Sequence, residues 1–160
     1  MQANKLLLAA VATILMGMVS LGFAEGLSKD SPVGYWKTID DVTGKPKSII
    51  QIWKTSDHKL MGKVIKIYPA NRSAKNNKLC TACRGDQHNK PLVGMVILSG
   101  LSTQQHSWNS GHILDPDNGK TYKCSVRVTE KGKRLNVRDY VGLPLFGRSQ
   151  TWERVDLMTG

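Results

Sequence analysis

Two cysteines at Cys80-x-x-Cys83 offer the widest choice of chemistry in this chain. In an oxidising compartment such a pair forms a structural disulfide, which constrains the short loop that it closes. The same spacing occurs in redox-active pairs and in zinc sites, where His88 would be a third ligand. No second cysteine pair follows, and no βαβ pattern surrounds the motif. We therefore expect a structural disulfide, with redox activity and metal binding as alternatives.

Two other polar residues sit within predicted strands. Cys124 follows Tyr122 in a strand-like run, so we expect a buried free thiol; the alternative is pairing with Cys80, Cys83 or another chain. Asp139 is a candidate catalytic acid, but it directly follows an arginine, and an ion pair with a neighbouring arginine is the expected role.

Metal and catalytic motifs are otherwise missing from the sequence. The segment Asp115–Gly119 resembles the start of a calcium loop, but the glutamate that such a loop needs is replaced by Val126. The histidines have no spacing typical of metal ligands and are expected on the surface; they are His58, His88, His106 and His112. We expect no catalytic residue, metal or cofactor, so we do not expect an enzyme; thiol–disulfide chemistry at Cys80 and Cys83 is the minor alternative.

The elements that would position these groups are short strands separated by polar turns. The predicted strands are 33–39, 48–54, 60–68, 91–101, 112–114, 121–129, 135–141 and 149–155. Asn118-Gly119 is typical of a tight hairpin turn, and the irregular segment 69–90 holds the cysteine pair. This pattern predicts an all-β domain with about eight to nine strands, either a single antiparallel up-and-down β-barrel or a small sandwich.

The first and last predicted strands carry residues that suit a barrel base. Gly34-x-Trp36 opens the first strand and Arg154 lies in the last. Closure of a barrel brings these strands together, so Trp36 would plug the base with the Arg154 guanidinium stacked on its ring and donating to nearby carbonyls. The alternative is an ordinary core tryptophan and a surface arginine.

Residues 1–24 predict a secretory signal peptide, which leaves a single domain over residues 25–160. Lys5 precedes an apolar run of about 14 residues, and Gly22-x-Ala24 gives the small residues of a cleavage site. The run is shorter than the roughly 20 residues of a spanning helix, so we expect no transmembrane segment after cleavage. The predicted location is periplasmic or secreted.

The charge balance is strongly basic. Lysine and arginine outnumber aspartate and glutamate by 23 to 12, which gives a formal net charge of +11. The basic residues are scattered, no recognition helix is visible, and export separates the chain from the genome, so nucleic acid is not an expected partner. An anionic envelope surface is a candidate partner.

Several motifs stand out as a set: Gly34–Asp41, Gly62–Val64, Cys80-x-x-Cys83 with Lys90–Met95, Ile113–Tyr122 and Gly142–Trp152. This set resembles a family of small exported bacterial proteins classed as domain of unknown function 2147 (DUF2147), and the resemblance covers roughly residues 31–155. The Gly34-x-Trp36 and Arg154 pattern is also similar to that of lipocalins and wider calycins. The resemblance implies a lipocalin-like barrel. Asp139 stands where that family tends to carry glycine, and Cys124 is peculiar to this chain.

These observations lead to two function hypotheses. In the first, a small apolar or amphipathic ligand is buried inside the barrel. The candidate lining residues are Trp53, Ile65, Met95, Ile97, Tyr122, Tyr140 and Phe146. In the second, the barrel is a scaffold whose basic surface docks on an anionic envelope surface or a protein partner.

Overall fold

Eight strands form one closed antiparallel barrel, with β8 pairing back to β1. The computed structural model describes residues 29–69, 78–104 and 107–157. The strands are β1 (Gly34–Ile39), β2 (Pro46–Lys54), β3 (Leu60–Ile67), β4 (Val96–Gln104), β5 (Ser107–Asp115), β6 (Lys120–Thr129), β7 (Arg134–Tyr140) and β8 (Gly147–Val155). Short 3-10 turns lie at Gly85–Gln87 and Glu130–Gly132. The predicted all-β up-and-down barrel is confirmed, and the sandwich alternative is excluded. The predicted signal peptide and His106 lie outside the described residues.

The fourth and fifth strands differ from their predicted bounds. β4 runs from Val96 to Gln104 rather than from residue 91 to residue 101, and β5 begins at Ser107 rather than at residue 112. Both strands continue through irregular positions, where Gly100 and Ser110 adopt positive φ angles of 72° and 61°. Such bulges keep a ladder going while they hide the alternating apolar pattern on which the prediction depended.

Apolar side chains fill the part of the barrel interior that lies nearest Trp36. Trp36, Ile50 and Val64 are successive cross-strand partners on β1, β2 and β3, so they share the inner face. Trp152 and Leu135 are cross-strand partners on β8 and β7. Together with Val126 on β6 they have 2% or less of their surface exposed. Close packing of large apolar side chains supplies the main stabilisation of the fold.

One end of the barrel, here called the base, is closed by Trp36 and Arg154. The Arg154 guanidinium carbon lies 4.2 Å from the Trp36 ring centroid. Its nitrogens donate to the carbonyls of Ser31, Val33 and Gly132 at 2.6, 3.0 and 2.5 Å. A Cβ at Gly34 would lie only 2.8 Å from the Arg154 Nη1, so glycine at this position lets the guanidinium approach.

The opposite end of the barrel, here called the mouth, is formed by four connections. They are the β1–β2 turn (40–45), the described parts of the β3–β4 connection (68–69 and 78–95), the β5–β6 turn (116–119) and the β7–β8 loop (141–146). Among the described residues, none belongs to a helix long and apolar enough to cross a membrane.

Candidate ligand pocket at the mouth of the barrel

A pocket of about 500 Å³ opens at the mouth, between the β5–β6 turn and the β7–β8 loop. Strands β5, β6, β7 and β8 contribute lining residues, together with these two connections. It is lined by Asp115, Asn118, Tyr122, Asp139, Tyr140, Val141, Leu145, Phe146, Gly147 and Arg148. The volume lies within the range of about 300–1,000 Å³ that is typical of small-molecule sites.

One side of the pocket carries a cluster of three charged groups. Asp139 on β7 is the cross-strand partner of Arg148 on β8. The Arg148 Nη2 lies 3.4 Å from the Asp139 Oδ2 and 3.8 Å from the Asp115 Oδ2. Both carboxylates are largely shielded from solvent, whereas about half of the Arg148 side chain is exposed. Two carboxylates facing one guanidinium leave the cluster with one formal negative charge in excess.

Hydrogen bonds within the β5–β6 turn hold the next part of the pocket wall. The Asn118 side-chain amide donates to the Asp115 Oδ2 at 2.9 Å and to the Tyr122 hydroxyl at 3.1 Å. The Asp117 backbone N–H donates to the Asp115 Oδ1 at 3.0 Å. Because both Asp115 oxygens accept bonds from its own turn, this carboxylate has a fixed orientation at the pocket edge.

The other side of the pocket is apolar and belongs to the β7–β8 loop. Val141, Leu145 and Phe146 expose 70, 79 and 72% of their surface. The loop is held in place by Arg138, whose guanidinium donates to the carbonyls of Pro144 at 2.8 Å and Leu145 at 3.3 Å. The apolar wall is therefore a braced loop rather than part of the core.

Cys124 lies one cross-strand step from the charged cluster and does not line the pocket. It is free, fully buried and paired across the ladder with Asp139. Burial, with a smaller contribution from the Asp139 charge, raises the pKa of the Cys124 thiol to about 12. The two residues that depart from the resembled family pattern are thus direct neighbours.

Three of the seven predicted lining residues meet at this pocket: Tyr122, Tyr140 and Phe146. Tyr122 lies on the inner face, two residues before Cys124 on β6. Tyr140 is out of phase with the inward Asp139, and Phe146 belongs to the loop. Sequence reasoning missed the charged cluster as a unit, because its members come from three strands. The part of the sequence that came closest to indicating this cluster was Arg138-Asp139-Tyr140, where Asp139 was expected to pair with a neighbouring arginine.

The other four predicted lining residues lie away from the pocket. Trp53 alternates with the inward Ile52, and the Lys63 Nζ lies 5.7 Å from its ring centroid, which places it on the outer face. Ile65 is half-buried within a register shift between β2 and β3. Met95 and Ile97 are buried in the core cluster. The bulges that change the inward face are not visible in the alternation of the sequence.

Cys80 and Cys83 form a disulfide in the β3–β4 connection. Exposed fractions of 0% and 3% leave little access for an attacking thiolate, so the burial favours a structural role. The Cys80 Sγ lies 3.6 Å from the Pro116 carbonyl oxygen, which brings the disulfide loop against the β5–β6 turn. Within the described ranges, no group of three or more His, Cys, Asp or Glu side chains could hold a metal ion.

A closed eight-stranded antiparallel barrel with a plugged base and an open mouth is a lipocalin-like fold. A solved structure with this fold is described as "Protein HP1028 from the human pathogen Helicobacter pylori belongs to the lipocalin family". It matches with a TM-score of 0.66 and 20% sequence identity, over 80% of this chain and 85% of that chain. This likeness concerns the fold alone.

The chain belongs to the family described as "Uncharacterized protein conserved in bacteria (DUF2147)", whose model matches residues 34–154. The matched range contains every pocket-lining residue and all of the strands except the last residue of β8. No curated protein matches the chain. The predicted family membership is confirmed.

Proposed function

We propose that this protein binds a small amphipathic ligand in the pocket at the mouth of its barrel. The observation that carries the proposal is the division of the pocket into a charged side and an apolar side. A ligand with one polar end and one apolar part would satisfy both sides at once. The lipocalin-like fold adds support, since barrels of this size can hold one small ligand.

The charge of the cluster suggests which polar end would be accepted. The cluster of Asp115, Asp139 and Arg148 has a formal net charge of about −1. A cationic or hydrogen-bond-donating head group is therefore favoured over a carboxylate. The apolar part would lie against Leu145 and Phe146 and cover surface that is otherwise exposed to water.

Deep burial along the barrel axis is not part of this proposal. Trp36, Trp152 and Leu135 occupy the lower interior with 2% or less of their surface exposed. Displacing such side chains would cost several kcal/mol of packing. The proposed ligand site is therefore at the mouth of the barrel and not in its interior, where the sequence alone predicts it.

We also propose that the protein acts by binding rather than catalysis and that it does so outside the cytoplasm. The first part is supported by the burial of the disulfide and of the Cys124 thiol, since buried sulfurs are poor nucleophiles. The second part depends on the signal-peptide pattern of residues 1–24.

A displacement assay with the neutral fluorophore N-phenyl-1-naphthylamine tests this function on a chain of residues 25–160. Dodecylamine and dodecanoate share one tail length and differ in head-group charge, so they are a matched pair of competitors. We expect both to displace the fluorophore and dodecylamine to do so at a concentration about tenfold lower.

Matched variants locate the site. Asp139→Asn should remove most of the preference for the amine, and Phe146→Ser should weaken both competitors by about tenfold. Asp57→Asn, at an exposed turn of the base, should change neither. A fluorophore that does not bind, or binding that neither pocket variant alters, would contradict the proposed function.

A further inference from the structure

Exposed apolar side chains concentrate at the mouth. Nine large apolar residues of the described chain are exposed, and only Leu157 lies at the base. The other eight lie on mouth connections or at the mouth end of a strand; they are Val42, Leu79, Val93, Val96, Val141, Leu143, Leu145 and Phe146. Clustering of this kind marks a surface that contacts something apolar.

Two of these residues lie on neighbouring turns and outside the pocket. Val42 is 93% exposed on the β1–β2 turn, and Leu143 is 66% exposed on the β7–β8 loop. The Gln150 side-chain amide of β8 donates to the Asp41 Oδ2 at 2.8 Å, which ties the β1–β2 turn to the strand that follows the loop. Neither Val42 nor Leu143 lines the pocket, so the ligand would not cover them.

Val42 and Leu143 lie on turns rather than along a strand or helix, and neither belongs to the wall of the pocket. Arg138 holds the β7–β8 loop through its hydrogen bonds to the carbonyls of Pro144 and Leu145. Exposed apolar side chains on such turns can insert into an acyl-chain region, which adapts its shape to them.

Positive charge flanks the loop. Arg138 donates only to uncharged oxygens of the loop and of Ser149, and Lys123 is the cross-strand partner of Tyr140, the residue before the loop. Across the described part of the chain, no carboxylate forms an ion pair with Arg138 or Lys123. Cations that flank an apolar tip complement anionic lipid head groups.

We propose that the mouth of the barrel docks on an anionic phospholipid bilayer, with Val42 and Leu143 inserted among the lipids and Lys123 and Arg138 against the head groups. This goes beyond the proposed function, because the docking residues differ from the residues of the pocket that orient the ligand. The anionic envelope surface expected from the sequence is thereby specified as a phospholipid bilayer. The surface of the protein that contacts it is specified as the mouth of the barrel.

Vesicle flotation with residues 25–160 tests the proposal. The probes are vesicles of two parts phosphatidylcholine to one part phosphatidylglycerol, and vesicles of phosphatidylcholine alone. We expect binding to the anionic vesicles that moderate salt weakens, and binding to the neutral ones about tenfold weaker. Equal binding to both, or none to either, would overturn the proposal.

Paired variants separate insertion from charge. Val42→Ser with Leu143→Ser should weaken binding to anionic vesicles about tenfold, and Lys123→Gln about fivefold. Their controls at the base, Leu157→Ser and Lys131→Gln, should have little effect. Displacement of N-phenyl-1-naphthylamine should stay unchanged in the Val42 and Leu143 variant, so the failure of docking and the failure of ligand binding are distinguishable.

A direct insertion measurement uses Leu143→Trp. Brominated phosphatidylglycerol should quench this tryptophan more strongly than it quenches the four native tryptophans, which lie on strands β1, β2, β5 and β8. Quenching no greater than in the wild type would overturn the proposal. So would a wild-type dimer in sedimentation that the Val42 and Leu143 variant dissociates, because a second copy would then be the occupant of this surface.

Discussion

Arg154 is a single side chain that joins several segments of the base. It donates to carbonyls from the segment before β1 and from the β6–β7 turn, and it stacks on Trp36 of β1. Its partial burial lowers the pKa of the guanidinium from its ordinary value, but the group stays charged at any physiological pH. Each hydrogen bond to this cation contributes more than a neutral one.

Replacement of Arg154 should therefore destabilise the barrel more than the loss of one surface charge. We expect Arg154→Ala to lower the free energy of unfolding by about 3 kcal/mol, because three carbonyls lose a charged donor. Arg154→Lys should recover less than half, since an ammonium does not reproduce the planar fork. Urea unfolding measures both, with the exposed Arg127→Ala as control. A loss no greater than that of the control would refute this role.

Cys124 gives a second prediction at the scale of one residue, through its titration. Its folded-state pKa of about 12 exceeds the ordinary value of 9.0, so the folded protein favours the protonated thiol. The stability from this thiol is complete below about pH 9 and is lost as the pH rises toward 12. We expect Cys124→Ala to flatten the decline in melting temperature over that alkaline range. An equal decline in both proteins would contradict the assigned burial.

At the scale of elements, the mouth depends on contact between the disulfide loop and the β5–β6 turn. Gly119 and Gly44 have nearly the same positive φ, 68° and 67°, in two turns of the mouth. A Cβ at Gly119 would overlap the Ala82 carbonyl oxygen, whereas a Cβ at Gly44 would meet nothing within 4 Å. The disulfide between Cys80 and Cys83 fixes the backbone on which this contact depends.

This pair of glycines separates backbone strain from packing. Gly44→Ala should cost about 1 kcal/mol, the ordinary penalty for a left-handed alanine. Gly119→Ala should cost at least about 2 kcal/mol more, because the turn must also move away from the disulfide loop. Thermal unfolding measures both, and equal losses would show that the contact does not hold the mouth together.

The strands were predictable to different degrees, for physical reasons. β6 and β7 keep a regular inward series that includes Cys124, Val126, Leu135 and Val137, so their bounds are predicted within one residue. β4 and β5 have bulges and polar ends; β4 is shifted toward the C-terminus relative to its predicted range, and the length of β5 was underestimated. Trp53 was assigned to the interior although it lies on the outer face, because aromatic character alone does not report the register.

At the scale of the whole molecule, the barrel is filled with side chains toward its base and has a pocket at its mouth. The family resemblance predicted a lipocalin-like barrel, but not where its interior is occupied. Filling depends on side chains from neighbouring strands meeting at one level, as the cross-strand partners Trp36, Ile50 and Val64 do. The charged cluster likewise depends on register, since Asp115, Asp139 and Arg148 are distant in sequence and adjacent only after closure.

Removal of the disulfide is a prediction for the molecule as a whole. Its loop is so short that Cys80→Ala with Cys83→Ala should cost only about 2 kcal/mol from chain entropy, plus the packing of two buried sulfurs. We expect the barrel to persist by far-ultraviolet circular dichroism, while amide exchange accelerates in residues 78–95 and 116–119. Loss of the barrel itself would contradict a local role.

The central claim is that the ligand site is the mouth and not the barrel interior. Methyl chemical shifts of leucine and valine, recorded while dodecylamine is added, test it most directly. We predict shifts at Val141 and Leu145, which line the pocket, and no shifts at Leu98, Leu101 and Leu135, which are fully buried. Shifts at those buried leucines would contradict the account, because they would place the ligand inside the barrel.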